Sequence, residues 1–218
     1  MRRWKEPLHA VFKDALLPSE AIQILAAIKG SAITKFTRLL SLGKTDAERY
    51  SYDPEKYANL IASSEKSRLE HFLKRAKISK TQLFELGHGP LILQTDNANV
   101  VISESTATQS IILWEDTIDN VRSLIEALSY ECIEVYDHDS QFMISSFGDL
   151  FGCTITNIGF YRLDKSTSIP NEQGLIIETD RGQKLIISYR IAQSPNRPLS
   201  VITNEQIDPE LRLIYSEI

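Results

Sequence analysis

Apolar and polar positions along this chain fall into short segments with two different periods. From Ile22 the apolar residues recur at helical spacing through Leu25, Ala26 and Ile28; Pro18-Ser19-Glu20 supplies a start signal and Gly30 a stop. Beyond Gly30, the stretch Ser31 to Leu40 is rich in β-branched and aromatic residues (Ile33, Thr34, Phe36, Thr37), which predicts a strand. Residues 44–80 read as a helical insertion. Asp53-Pro54 opens a helix with Tyr57, Leu60 and Ile61 on one face, and Ser64 begins a second run carrying Leu69, Phe72 and Leu73. The run Ser79 to Leu86 fits a helical turn or a strand.

After Gly89-Pro90 the pattern turns to β. Leu91-Ile92-Leu93-Gln94-Thr95, a polar turn at Asp96 to Asn99, and a return through Val100-Val101-Ile102-Ser103 predict a hairpin. Ile111 to Trp114 gives a further strand. Asp116 then caps a predicted helix with Ile118, Val121, Ile125 and Leu128 at helical spacing, and Tyr130 to Tyr136 returns to strand.

Compared with itself, the chain repeats. Gly30-Ser31-Ala32-Ile33-Thr34 is echoed by Gly152-Cys153-Thr154-Ile155-Thr156, and each is followed by Arg-Leu, at Arg38-Leu39 and Arg162-Leu163. The hairpin Leu91-Ile92-Leu93-Gln94-Thr95-Asp96 matches Leu175-Ile176-Ile177-Glu178-Thr179-Asp180. Val101-Ile102-Ser103 matches Ile186-Ile187-Ser188 after a turn one residue longer, and Ile111 to Trp114 matches Leu199 to Thr203. Each copy is thus a Gly-led strand, a hairpin and a closing strand. Such an antiparallel unit has an apolar face that needs covering, and two copies can cover one another. The expectation is a single α+β domain over 1–218 of internally duplicated antiparallel β units with N-terminal helices. One copy spans about 20–115 with the helical insertion 44–80, the other about 145–203, and a helix and strand at 116–137 link them.

Composition fits this picture: 42% apolar and 24% charged residues suit a chain that buries a core, which excludes disordered and collagen-like classes. No apolar run approaches the roughly 18 residues of a membrane span. The start Met1-Arg2-Arg3-Trp4-Lys5 is followed by Glu6, Pro7 and His9 where a signal peptide needs an apolar stretch, so the expected location is cytoplasmic, away from membranes. Charge is unevenly placed. Residues 1–80 hold 16 Lys+Arg against 9 Asp+Glu, and residues 81–218 hold 8 against 20, so the net −5 divides into +7 and −12. Between 81 and 161 twelve carboxylates face only Arg122.

Catalytic chemistry finds little footing. There is no phosphate-cradling glycine loop, nucleophile elbow, zincin helix or Cys-x-x-Cys pair. Cys132 and Cys153 read as buried structural thiols, and pairing Cys132 with His138 lacks a setting that would lower the thiol pKa. Asp137-His138-Asp139 resembles a ligand cluster, yet a third and fourth ligand cannot be assigned, and an exposed turn accounts for it better. Asp96 and Asp180 take equivalent places in the repeats; at hairpin turns Asp bonds local backbone, which favours a structural role over acid-base work. No cofactor, metal or catalytic residue is expected. A basic helical face (Lys66, Arg68, Lys74, Arg75, Lys77, Lys80) offers nucleic-acid contacts, but alternates with Glu65 and Glu70 and lacks interleaved aromatics, so nucleic acid is not the favoured partner.

With the Gly-x-x-Ile-Thr strands, the Gly-Pro-Leu-Ile-Leu-x-Thr-Asp hairpin and the Gly-Leu-Ile-Ile-Glu-Thr-Asp hairpin in place, the chain resembles small bacterial immunity proteins of contact-dependent inhibition and other polymorphic toxin systems. The resemblance covers mainly residues 20–40, 88–115 and 145–203, and rests on structural motifs. It implies a non-enzymatic protein that binds the C-terminal domain of a cognate toxin, often a nuclease, and blocks it. Nuclease domains hold phosphates on basic surfaces, so dense carboxylates suit an inhibitor. The candidate docking residues are Glu115, Asp116, Asp119, Glu126, Glu131, Glu134, Asp137 and Asp139, with Trp114 or Tyr136 as aromatic anchors. Two rivals remain: a nucleic-acid-linked regulator using the basic N-terminal helices, and an enzyme or small-ligand binder with a pocket between the repeats.

Overall fold

A computed structural model describes residues 15–41, 73, 74, 77, 79, 90–105, 110–115, 132–136, 150–164, 171–192 and 199–218, with 39–41 and 132–136 given by their backbone. It is an α+β arrangement of mainly antiparallel strands. Helix α1 (Ile22–Ile28) is followed by β1 (Ile33–Ser41), β2 (Leu91–Thr95), β3 (Asn99–Ser105), β4 (Ser110–Glu115), β5 (Cys132–Tyr136), β6 (Ile155–Leu163), β7 (Glu172–Thr179), β8 (Lys184–Ser188), β9 (Ser200–Ile202) and β10 (Leu213–Glu217). These strands form two five-stranded sheets, ordered β4-β3-β2-β1-β5 and β10-β6-β7-β8-β9. Written from its opposite edge, the second order is β9-β8-β7-β6-β10, with the hairpin β7-β8 placed as β2-β3 is in the first.

Alternation of side chains builds the core. Phe36, Leu91, Leu93, Val100, Ile102, Ile111 and Leu113 of the first sheet and Ile158, Leu175, Ile177, Leu185, Ile187 and Val201 of the second belong to one buried cluster, so the inner faces pack on each other. Helix α1 adds Ala21, Leu25 and Ile28. Leu25 and Ile28 of the expected face are buried, whereas Ile22 is 53% exposed and Ala26 is exposed too, and Ala21 completes the i, i+4, i+7 stripe. The start signal also acts earlier than the helix. Pro18 to Glu20 form a turn in which Glu20 and Ala21 donate their amides to the Leu17 carbonyl, while Glu20 Oε2 accepts the Leu17 amide.

The second sheet is also covered on its outer face, where Ile176, Ile186, Ile191 and Ile202 pack with Tyr161, Ile207, Leu211 and Leu213. Residues beyond Thr203, outside both sequence repeats, therefore close this face and add β10.

Both hairpins appear at their expected places, and their registers agree. Leu91 faces Ile102 as Leu175 faces Ile187, and the turn is longer by one residue in the second, closing through Gly182 at φ +76°. A bulge interrupts β1 between Ile33 and Lys35 and β6 between Ile155 and Asn157, each opposite the closing threonine of the hairpin. Register corrects one match: Arg38 faces Leu91, and the residue facing Leu175 is Phe160, so Arg38 corresponds to Phe160 and Arg162 lies two positions further on. Tyr130 to Tyr136 is strand over Cys132–Tyr136, which joins the first sheet beside β1. The insertion 44–80 lies outside the described residues except for Leu73 and Lys74, which are helical, and Lys77 and Ser79. The helix expected after Asp116 lies outside them as well.

Candidate functional site

The two sheets meet in a short exchange of backbone hydrogen bonds. The Gly30 amide donates to the Ile155 carbonyl (2.8 Å) and the Gly152 amide to the Ile33 carbonyl (2.9 Å); Ile33 donates to Cys153 (2.8 Å) and Ile155 to Ser31 (3.0 Å). Exchanging the sheets maps this set onto itself. Gly30 and Gly152 enter it at φ +85° and +69°, the left-handed region that glycine occupies without a Cβ penalty. The paired residues Ala32 and Thr154 turn their own backbone groups outward. Asp96 Oδ1 accepts the Ala32 amide and Asp180 Oδ1 the Thr154 amide, both at 3.0 Å, while the amides of Asp96 and Asp180 donate to the Ala32 and Thr154 carbonyls. The two aspartates thus take a structural place, and the backbone they bond is remote in sequence rather than local to the turn.

Charge also enters the space between the sheets. Arg38 is fully buried on the core face of β1, and its Nη2 donates to the Leu199 carbonyl at 2.8 Å. Glu104 lies on the same face of β3, two residues beyond Ile102, and Tyr189 occupies the matching place beyond Ile187 of β8. Arg190 follows, exposed, with its guanidinium carbon 5.0 Å from the centre of the Tyr189 ring. Burial pushes the Glu104 carboxyl up to about 7, with Arg38 and Arg190 pulling the other way. Burial lowers Arg38 to about 9 against the opposing pull of Glu104, so it stays cationic at neutral pH. Burial likewise raises the Tyr189 phenol. Glu104 Oε2 and the Tyr189 hydroxyl are shielded from water without a hydrogen-bond partner. Arg190 and Leu199 both have positive φ, +65° and +56°, which is uncommon outside glycine and costs on the order of 1 kcal/mol each. This cluster escaped the sequence reading. Its signal was phase: Arg38 shares the parity of Phe36, and Glu104 that of Val100 and Ile102.

A second buried carboxylate is fully partnered. Glu172 Oε1 accepts from Arg162 Nη2 (2.7 Å) and Nε (3.2 Å), Oε2 accepts the Ser19 amide (2.7 Å), and the Glu172 amide donates to Ser110 Oγ (3.2 Å). These bonds pin the segment before α1 and the start of β4 to the second sheet.

Of the candidate docking carboxylates, Glu115 is exposed at the end of β4, and Glu134 lies on β5 opposite Leu39. Asp116, Asp119, Glu126, Glu131, Asp137 and Asp139 lie outside the described residues, as do Arg122 and His138. The structure places the two ends of this stretch at opposite edges of one sheet, since β4 and β5 are its outermost strands. Four strand spacings separate them, about 19 Å. Trp114 is buried at 5% exposure, so it is no rim anchor; Tyr136 ends β5. Cys153 is a buried thiol whose Sγ lies 3.6 Å from Gln183 Oε1. Among the described residues no three His, Cys, Asp or Glu side chains gather to hold a metal ion, and no helix is long and apolar enough to cross a membrane.

Compared with known protein families, curated proteins and solved structures, the chain matches none.

Proposed function

We propose that this is a non-enzymatic cytoplasmic immunity protein, built by internal duplication, that binds a basic toxin domain through the carboxylates of residues 115–139. The observation that supports it most is the anchoring of that stretch. Its ends are fixed at β4 and β5, the two edges of a sheet whose core face is packed against a second sheet. Glu115 is exposed at the end of β4 and Glu134 sits on the backbone of β5, and a field of one sign speeds encounter with a cationic partner. The ion pairs Arg162–Glu172 and Lys184–Glu178 use other carboxylates.

The test is co-purification with the C-terminal domain of the toxin encoded immediately upstream, together with protection of cells expressing it. Reversing Glu115, Asp119, Glu126 and Glu131 to lysine should slow association at low salt and flatten its salt dependence. Unchanged association would remove this surface from consideration, and absence of any complex would remove the immunity reading.

A second reading has its own support. Glu104 Oε2 and the Tyr189 hydroxyl are buried without partners beside Arg38 and Arg190, as polar groups awaiting a small ligand between the sheets would be. Binding of a small molecule that is lost in Tyr189→Phe and Glu104→Gln, with toxin binding intact, would favour it.

A further inference from the structure

Among the described residues, the outermost strand of the second sheet, β10, has its backbone paired on one side alone. Asp164 donates its amide to the Arg212 carbonyl (2.8 Å) and Ile218 donates to Ile158 (2.9 Å), in the register that pairs Leu213 with Leu163. Even-numbered residues from 212 to 218 therefore bond β6, and Leu213, Tyr215 and Glu217 turn their N–H and C=O groups away from it. Among the described residues no other strand meets that edge. Of the three other edges, β4 is bridged at Leu113 by Leu16, which exchanges both backbone bonds at 2.8 Å, and β9 is three residues long, while β5 edges the first sheet. Strand β10 carries no proline or lysine that would blunt it, and Ile214 is 51% exposed.

We infer that β10 pairs with β10 of a second copy of this chain, antiparallel about a two-fold axis at Ile214, joining the two second sheets into one ten-stranded sheet. A two-fold relation requires equivalent pairs to be of the same kind, so the axis must pass through a residue paired with itself. Tyr215 at the middle of the strand and Ile214 beside it are two such centres. Centred on Tyr215, the pairing sets Leu213 against Glu217 and Ile214 against Ser216, apolar against polar. Centred on Ile214, it sets Leu213 against Tyr215 twice and Ile214 against Ile214, with Arg212 opposite Ser216 and no like charges opposed. The second register also joins outward-facing groups, so Leu213 and Tyr215 exchange four backbone hydrogen bonds across the axis. Tyr215 is held for this: a Cβ on Gly159 would lie 2.5 Å from its ring, which also meets Tyr161 edge-on at 5.7 Å between centres. This surface lies on the second sheet, whereas the proposed docking carboxylates flank the first, so the two proposals stand or fall separately.

Sedimentation of the full chain should give twice the 24.7 kDa chain mass at micromolar concentration. Ile214→Lys opposes two ammonium groups at the axis and should give the single-chain mass while keeping the parental circular-dichroism spectrum, because the side chain is exposed within the single chain, and it should lose the concentration dependence of melting that a dimer confers. In this register the Ile214 Cα atoms lie roughly 4.5 to 5.5 Å apart, within disulfide range. Ile214→Cys should thus oxidise to a covalent dimer, while Ser216→Cys, about 14 Å from its mate along the strands, should not. A monomer at all concentrations, including one that instead captures an extended peptide, would overturn the inference. So would an Ile214→Lys dimer, or a Ser216→Cys chain that crosslinks as readily as Ile214→Cys.

Discussion

Arg38 reaches across the core and donates to the carbonyl of Leu199, a residue from the other sheet held in left-handed conformation. A guanidinium without exposure has been stripped of water, and its own bonds together with the field of Glu104 must offset that loss. Removing it should divide by substitute. Arg38→Ala leaves a void, an acceptor without its donor and Glu104 with only Arg190 as a countercharge, and should cost about 3 to 5 kcal/mol in denaturant unfolding. Arg38→Met fills the volume without burying charge, and should lie much nearer the parent. Equal losses for the two would show that the side chain matters through volume alone.

Glu104 sets a pH dependence whose sign follows from its raised pKa. Between about 4.5, its ordinary value, and about 7 the folded protein holds a proton that the unfolded chain has released. Stability from this group is therefore full below that window, falls as pH rises through it by up to about 1.4 kcal/mol per unit, and levels off above it. Solvent reaching the half-buried carboxyl reduces the slope. Glu104→Gln should flatten the profile and leave the variant more stable than the parent at pH 8. Parallel profiles for the two proteins would place the titrating group elsewhere.

Asp96 and Asp180 should respond alike, because each completes the outward backbone of the residue that its own sheet contributes to the junction. Alanine at either should cost about 1 kcal/mol, since water reaches these amides, and asparagine, which keeps an Oδ1 acceptor, should restore most of it. A loss at one position alone would break the equivalence of the two sites.

Glycine at the entry to the junction is required for its backbone angle and not for space. Nothing lies within 4 Å of a Cβ built on Gly30, yet φ is +85°. Gly30→Ala and Gly152→Ala should each cost about 1 to 2 kcal/mol by thermal unfolding, with Gly30→Asn milder because asparagine tolerates that region. An alanine as stable as the parent would indicate that the turn relaxes.

Much of this architecture was legible from residue pattern. The apolar runs at Leu91 to Thr95 and Leu175 to Thr179 are buried on nearly every position, and turn residues fix where they reverse, so both hairpins could be placed. Gly30 ended the helix as expected. What escaped depended on partners far away in the chain. β10 buries none of its five residues and exposes the adjacent Ile214 and Tyr215, and it becomes a strand because β6 offers an edge. Arg38 and Glu104 look like ordinary surface charges until strand parity is followed, and no local rule says that an opposing sheet will cover them. The carboxylates 115–139 were visible as a charge run; their relation to the sheet became visible only when β5 was found beside β1.

The reach of these bonds along the chain bears on how the protein is made. Arg38 waits for a carbonyl 161 residues later, and Ser19 for a carboxylate 153 residues later. During synthesis the amino-terminal sheet leaves the ribosome with its inner face unprotected and a bare guanidinium upon it, and the guanidinium stays so until about the last tenth of the polypeptide arrives. A messenger truncated before Leu199 would therefore yield a sticky half-product rather than a smaller working protein.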